Sequence, residues 1–251
     1  MIQPIVILPR SEDERRLWGT TVELAAAMPA EGWTLIGAQM VFIHAAAAGR
    51  EPGRTSGDLD LLVDVRVVTS RIRDVAKRLL ESGFRPEVTI DGRGHRFRRG
   101  EDVVDLLAPD GTGSRTSLET VRGARTIAVP GGSQALRRTD RRPVDVTGIG
   151  TTILPSPNLL GAVLLKARAI DAADDPDKHR RDLGLLLSLV ADPVAVAADM
   201  SRQERNWLRR RTELLDPSHP AYRTIPERED AATALALMLQ SSVAPSGTGP
   251  G

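Results

Sequence analysis

The sequence predicts an α+β protein, with a mixed β-sheet and flanking helices in the first half and an all-α second half. Two observations support this fold class. Before residue 108, short apolar stretches alternate with segments whose apolar residues recur every three or four positions, as strands alternate with amphipathic helices. After residue 150, only the helical pattern continues.

The composition is that of a folded globular chain. Its 251 residues correspond to one or two domains, and its hydrophobic share of 41% and charged share of 27% exclude wholesale disorder. Aromatic residues make up only 3%, so aliphatic side chains must fill the core. Such a chain lacks the aromatic stacking surface of RNA-recognition modules that bind single strands.

Charge and cysteine content limit the partners and the compartment. The 34 basic and 33 acidic residues leave a net charge of +1, so net charge identifies no partner. The absence of cysteine excludes disulfides and thiolate metal sites and fits a reducing compartment. No apolar run approaches the roughly 20 residues that span a bilayer, and the start of the chain lacks the apolar stretch of a signal peptide. We therefore expect a cytoplasmic protein without a membrane partner.

Local patterns predict the elements of the first half in order. Ser11, followed by three acidic residues, predicts the start of a helix that ends near residue 28. A short strand over 33–36, the break at Gly37 and a helix over 38–48 come next, and a loop over 49–57 leads into a strand over 58–65. A helix over 70–82 ends before Gly83, and two or three short strands cover 87–107.

In the rest of the chain, the sequence pattern is weak over 108–150 and clearly helical afterwards. Residues 108–150 are rich in Gly, Pro, Ser, Thr and Arg and predict only short strands at 126–129 and 144–146. Prolines at helix starts and apolar residues that recur every three or four positions predict helices over 157–173, 176–190, 193–200, 202–215 and 226–240. We therefore predict an α/β domain over 1–150, a helical domain over 151–240 and a disordered tail over 241–251.

The most specific pattern is the acidic stretch that begins the strand over 58–65. Because side chains alternate across a strand, Asp58, Asp60 and Asp64 share one face while Leu59 and its apolar neighbours share the other. Paired carboxylates suit hard divalent cations, which keep water and substrate phosphate as their remaining ligands. Acid-x-acid pairs are common by chance, so a solvated strand face is the alternative interpretation.

Two further features support a site. A strand, Gly37 and a helix follow one another before the acidic strand, and free N–H groups at a helix start can hold phosphate oxygens. Asp105 lies among four aliphatic residues, where a carboxylate is costly unless it is paired, hydrogen-bonded or bound to a metal. The alternative is that Asp105 points out of a half-exposed strand.

These residues together resemble the nucleotidyltransferase superfamily. The resemblance is carried by Gly37-Ala38 after a strand, by the stretch from Arg54 to Asp60, by Asp105, and by a helical segment with Lys166, Lys178 and Asp182. It spans residues 33–187 and is strongest to the AbiEii-like toxins of type IV toxin-antitoxin systems, which include the MenT toxins. The fold that it implies is a nucleotidyltransferase-like mixed sheet.

The resemblance also implies roles for individual residues. The metal ligands and catalytic carboxylates for Mg²⁺ or Mn²⁺ would be Asp58, Asp60 and Asp105. The residues that contact the nucleotide would be Gly37, Ala38, Thr55, Ser56, Lys166, Lys178 and Asp182. The substrate would be an NTP, the acceptor an RNA such as tRNA, and an antitoxin protein would be a partner.

Three functions follow as hypotheses. The first is a Mg²⁺-dependent transfer of NMP from an NTP to an acceptor hydroxyl. The second is a catalytically degenerate fold that binds a nucleotide or a protein, because Ala38 stands where the family has Gly or Ser and His179 where it has an acid. The third is a nucleic-acid-binding regulator that uses arginine clusters such as Arg93, His95, Arg96, Arg98 and Arg99. For these clusters, solvated faces and pairing with acids are the alternative.

Overall fold

A computed structural model describes residues 3–54, 56–113 and 116–240. Thr55 and the predicted tail over 241–251 therefore lie outside the described residues. The described chain is α+β, as predicted, and it divides into two compact units, Met1–Leu165 and Lys166–Gly251. Among the described helices, none combines the length and hydrophobicity needed to cross a bilayer.

The first unit contains the β-structure. Its strands are β1 (Ile5–Ile7), β2 (Trp33–Ile36), β3 (Asp58–Val63), β4 (Arg85–Glu87), β5 (Arg96–Arg99), β6 (Asp102–Pro109), β7 (Glu119–Val121), β8 (Ala124–Arg125), β9 (Ala128–Val129), β10 (Thr139–Val146) and β11 (Gly150–Pro157). Its helices are α1 (Glu12–Ala27), α2 (Gly37–Ala47), α3 (Arg71–Glu81) and α4 (Gly132–Arg137).

The main sheet has the strand order β2-β3-β6-β5-β4, and β9 also pairs with β6. Strands β3 and β6 run parallel, whereas β2, β5 and β4 pair antiparallel with their neighbours. The predicted mixed sheet is thus confirmed. A second sheet has the order β1-β10-β11, and β7 pairs with β8.

One face of the main sheet packs into the hydrophobic core. Leu59, Leu61 and Val63 of β3 are buried there with Val104 and Phe97 of the neighbouring strands. Helices α1 and α3 contribute to the same core through their apolar faces. The residues between these positions in β3, β6 and β5 therefore point to the opposite face, which carries the charged groups described below.

Several helices begin at a residue whose side chain caps the first turn. The Ser11 hydroxyl accepts a hydrogen bond of 3.2 Å from the Glu14 N–H, and the acids of the first turn complement the helix dipole of α1. In the second unit, Asp175 and Asp192 cap α6 (Pro176–Ser188) and α7 (Pro193–Ala198) in the same way. The local chain thus defines where these helices begin.

The second unit is helical in its described part. Helix α5 (Leu159–Ala169) runs across the division between the units, and α8 (Arg202–Arg209) and α9 (Arg228–Gln240) follow α7. Two short 3₁₀ segments, Thr212–Leu215 and Pro220–Tyr222, lie between α8 and α9. The 3₁₀ segment over Thr212–Leu215 shows that the helix predicted over 202–215 ends earlier, at Arg209.

The region 108–157 differs most from its prediction. It contains α4 and a long hairpin of β10 and β11 in addition to short strands. The helix predicted over 157–173 is present as α5 but begins at Leu159, because Pro157 still belongs to β11, opposite Thr139. A proline is tolerated there because β11 is an edge strand of its sheet.

Candidate functional site

The strand acids come together on one face of the main sheet. Asp58 and Asp60 alternate with buried Leu59 and Leu61 along β3. In the parallel pairing of β3 with β6, Asp60 lies directly opposite Asp105. Side chains that are directly opposite share a face, so the sheet register brings the three predicted carboxylates, Asp58, Asp60 and Asp105, to one surface.

The predicted glycine turn lies beside these acids. Strand β2 runs antiparallel to β3 and places Ile36 opposite Asp60, so the chain turns into α2 next to the Asp60 carboxylate. Gly37 makes this turn with a φ of +72°, and a Cβ atom there would overlap the Asp60 carboxylate. Glycine is thus required at this position both by backbone conformation and by close approach.

Helix α2 begins at this turn without a side-chain cap. Its first N–H groups carry a partial positive charge that stabilises a negative group nearby. Asp60 is one such group, and a phosphate is another. Ala38 lies in the first turn of α2 and is buried.

Ser56 orients the other carboxylate of β3. Its hydroxyl donates a hydrogen bond of 2.5 Å to Asp58 Oδ1. Ser56, Gly57, Arg98 and Val103 also line a cleft of about 400 Å³, and Val103 is the register partner of Asp58 on β6. The rest of the lining comes from the start of α1 and from Glu101, and none of the three carboxylates Asp58, Asp60 and Asp105 lines this cleft.

Arg96 also lies on this face, and the structure gives it an acidic partner that the sequence did not identify. It lies opposite Asp105 in the antiparallel pair of β5 and β6. Its Nε donates to Asp105 Oδ1 at 2.8 Å and its Nη2 to Asp105 Oδ2 at 2.7 Å. The same Nη2 lies 3.9 Å from Asp58 Oδ2. The hydrogen bonds to Asp105 raise the pKa of the Arg96 guanidinium above its ordinary value, so it stays charged.

A sequence signal for this pairing exists. Two residues, Gly100 and Glu101, separate β5 from β6, and a two-residue hairpin connection fixes which residues face each other. Counting outward from this turn places Arg96 opposite Asp105. By sequence alone, Arg96 belongs to a cluster of basic residues with no assigned acidic partner.

Whether these residues suit a divalent cation depends on which carboxylate oxygens are available to it. Asp58 and Asp60 supply hard carboxylate oxygens, while both oxygens of Asp105 accept hydrogen bonds from Arg96. Within the described residues, no three His, Cys, Asp or Glu side chains are grouped so that they could hold a metal. Asp58 and Asp60 are thus the carboxylates left for an ion such as Mg²⁺ or Mn²⁺, and one or two carboxylates suffice where substrate phosphates supply further ligands.

The other predicted nucleotide residues lie in the second unit. Lys166 Nζ donates a hydrogen bond of 2.7 Å to Asp182 Oδ2, and the two side chains are only 3% and 4% exposed. Lys178 lies in the first turn of α6 and is half-buried. Contact of these residues with a nucleotide stays a prediction.

Most arginines of the predicted clusters have acidic partners. Arg98 pairs with Glu87 at 2.7 Å, Arg99 with Glu23 at 2.6 Å and Arg93 with Asp91 at 2.8 Å. Pairing with acids leaves less positive charge for a nucleic acid backbone, which weighs against the arginine-cluster hypothesis.

Comparison with known proteins supports the fold. No family model matches the chain, and no curated protein matches it by sequence. Among solved structures, the chain is similar to an antigenic nucleotidyltransferase-like protein from Paracoccidioides brasiliensis, with a TM-score of 0.53 and 13% identity. The match covers 87% of this chain and 93% of that chain. The predicted fold class, with its nucleotidyltransferase-like mixed sheet, is thus confirmed.

Proposed function

We propose that this chain is a nucleotidyltransferase that uses Mg²⁺ or Mn²⁺ to move NMP from an NTP to an acceptor hydroxyl. The observation that carries the proposal is the register of Asp60 with Asp105 beside the Gly37 turn. This register joins carboxylates and a helix start on one surface. Carboxylates suit a metal ion and a helix start suits phosphate, so the surface suits a metal-bound triphosphate.

Each group of this surface has a role in the proposal. Asp58 and Asp60 would hold the cation, with Asp105 as the third carboxylate, and Ser56 keeps the Asp58 carboxylate in place. The ion, when bound, supplies Lewis-acid neutralisation of phosphate charge. The N–H groups at the start of α2 bind phosphate oxygens, and Gly37 lets the triphosphate approach the backbone.

The chemistry that follows is an in-line displacement. The acceptor oxygen attacks the α-phosphorus, a new P–O bond forms, and the bond to the β-phosphate oxygen breaks so that pyrophosphate leaves. Asp105 lies on the same face and would help to activate the acceptor hydroxyl once Arg96 no longer engages both of its oxygens, and the hydroxyl proton passes to water.

The finer parts of the proposal come from the family resemblance. An RNA such as tRNA as the acceptor, a toxin role and an antitoxin partner are properties of the AbiEii-like branch. They extend the proposal for this chain; the test below takes RNA as the acceptor and does not depend on a toxin role or an antitoxin.

Replacement of Asp60 by Asn tests the proposal directly. We expect pyrophosphate release from the ribonucleoside triphosphates, with Mg²⁺ and cellular RNA as acceptor, to fall by about a hundredfold or more because a metal-binding carboxylate is lost. Asp64→Asn is the matched control, since Asp64 follows the same strand but pairs with Arg66 at 2.8 Å. Retained release in Asp60→Asn, or equal loss in both variants, would contradict the proposal.

One observation favours a second candidate function. Because Arg96 engages both oxygens of Asp105, the face also suits a degenerate fold that binds a nucleotide without transfer. That function predicts calorimetric NTP binding in the wild type with no pyrophosphate release. Metal-dependent release that disappears in Asp58→Asn would exclude it.

A further inference from the structure

Arg96 occupies a special position on the charged face of the main sheet. Its guanidinium makes a two-point hydrogen bond with Asp105 and lies within ion-pair distance, 3.9 Å, of Asp58. The cation thus stands between carboxylates on two neighbouring strands. It neutralises their mutual repulsion.

The same oxygens would be needed by a divalent cation. Asp105 presents both of its carboxylate oxygens to Arg96, and Asp58 faces the same guanidinium. Two cations that share these carboxylates would repel each other at such distances. Binding of a divalent cation across Asp58 and Asp105 therefore requires Arg96 to turn away.

Arg96 has the freedom and the chemistry to do so. Its side chain is 39% exposed, whereas that of Asp105 is 11% exposed, so the guanidinium can leave the pair towards solvent. A guanidinium binds phosphate oxygens with the same two-point geometry that it uses for a carboxylate. A released Arg96 would thus meet a triphosphate beside the ion.

We propose that Arg96 is an exchangeable counter-ion, which yields Asp58 and Asp105 to a divalent cation and then binds the triphosphate that accompanies it. This inference rests on the proposed function, because it places Arg96 at the same nucleotide site. It adds a residue that couples metal binding to phosphate binding.

Arg98 provides a matched control. It lies two residues further along β5, on the same face of the sheet, and pairs with Glu87 at 2.7 Å. Its loss removes the same charge and an ion pair from the same strand, although this pair is made through a single hydrogen bond. A variant at Arg98 thus reports the general effect of losing an arginine here.

The test measures binding of two simple probes by calorimetry. One is Mn²⁺ alone, and the other is inorganic tripolyphosphate in the presence of saturating Mn²⁺. In Arg96→Met we expect Mn²⁺ to bind about tenfold more tightly, because a competing cation is gone. We expect tripolyphosphate to bind about tenfold more weakly, because a charge-assisted contact is lost. Arg98→Met should change neither affinity.

The opposite signs separate this role from a structural one. Damage to the sheet would weaken both affinities. Two changes of the same sign, or no change, would therefore overturn the inference. In that case, binding of both probes by the wild type would still support the proposed function. If neither the wild type nor Arg96→Met binds either probe, both proposals fail. A gain for Mn²⁺ without a loss for tripolyphosphate refutes the transfer of Arg96 to phosphate.

A second variant guards against loss of folding in Arg96→Met. Arg96→Lys keeps the charge but not the two-point geometry. It should leave the Mn²⁺ affinity within about threefold of wild type and weaken tripolyphosphate several-fold. A wild-type tripolyphosphate affinity in Arg96→Lys would count against the inference.

Discussion

At the scale of single residues, the site depends on a glycine, which has no side chain, as much as on the acids. Gly37 has a left-handed backbone conformation and lies against the Asp60 carboxylate. Asp60 in turn faces Asp105 across the strand pair. The position of one carboxylate is therefore coupled to the absence of a Cβ atom in the preceding turn.

This coupling leads to a prediction for Gly37→Ala. The variant should lose roughly 2–4 kcal/mol of unfolding free energy, because left-handed backbone strain and displacement of Asp60 add together. Gly49 is the control: its φ is +65°, and a Cβ there would meet nothing within 4 Å. Gly49→Ala should cost only about 1 kcal/mol in urea unfolding. Equal costs would show that the Asp60 contact adds nothing.

At the scale of elements, a short connection decides which charges meet. The two residues between β5 and β6 set the hairpin register that puts Arg96 opposite Asp105. The parallel pairing of β3 with β6 then adds Asp60 to the same place. Strand β3 and the β5–β6 hairpin, which are separate in sequence, thereby build one charged surface.

Helices α5 and α6 are joined in the second unit by the buried Lys166–Asp182 pair. We expect Lys166→Met alone to cost about 3–5 kcal/mol of unfolding free energy, because it leaves a buried carboxylate without this partner. The double variant Lys166→Met with Asp182→Leu should recover most of that loss, since apolar replacement of both partners also removes the buried carboxylate charge. Thermal and urea unfolding of both variants test this, and an unchanged stability in Lys166→Met would contradict it.

At the scale of the whole molecule, His44 makes folding stability depend on pH. His44 of α2 is buried, and its Nε2 donates to the Pro157 carbonyl at the end of β11, 2.9 Å away. Burial lowers the pKa of His44 to about 4, although the hydrogen bond opposes this shift. His44 is therefore neutral in the folded protein at neutral pH.

The sign of the effect follows from proton uptake. The unfolded chain, with a His pKa near 6.5, binds a proton between pH 6.5 and about 4 that the folded chain does not bind. The contribution of His44 to stability is thus complete above pH 6.5 and is lost as the pH falls towards 4. We expect a loss of about 2 kcal/mol between pH 7 and pH 5 from this group.

Urea unfolding at the two pH values measures this loss. His44→Gln removes the titration, so the difference in pH dependence between wild type and variant isolates the contribution of His44. If the two proteins lose the same stability between pH 7 and pH 5, the assignment to His44 is wrong.

The elements that obey local rules could be predicted from the sequence. Alternation placed Asp58 and Asp60 on one strand face, the break at Gly37 separated β2 from α2, and Ser11 marked the start of α1. Each of these depends on residues within a few positions of each other. Periodicity, caps and glycine conformation are properties of the local chain and need no knowledge of the fold.

The sequence by itself thus determined the fold class and the acids of the candidate site, while only the tertiary structure decided their partners. It paired Arg96 with Asp105, buried Lys166 against Asp182 and formed the hairpin of β10 and β11. A side chain takes the partner that strand register and helix packing bring within reach, and the available partners include residues far away in the chain. Electrostatic attraction acts on distance in space, so charge and spacing along the sequence do not specify which pairs form.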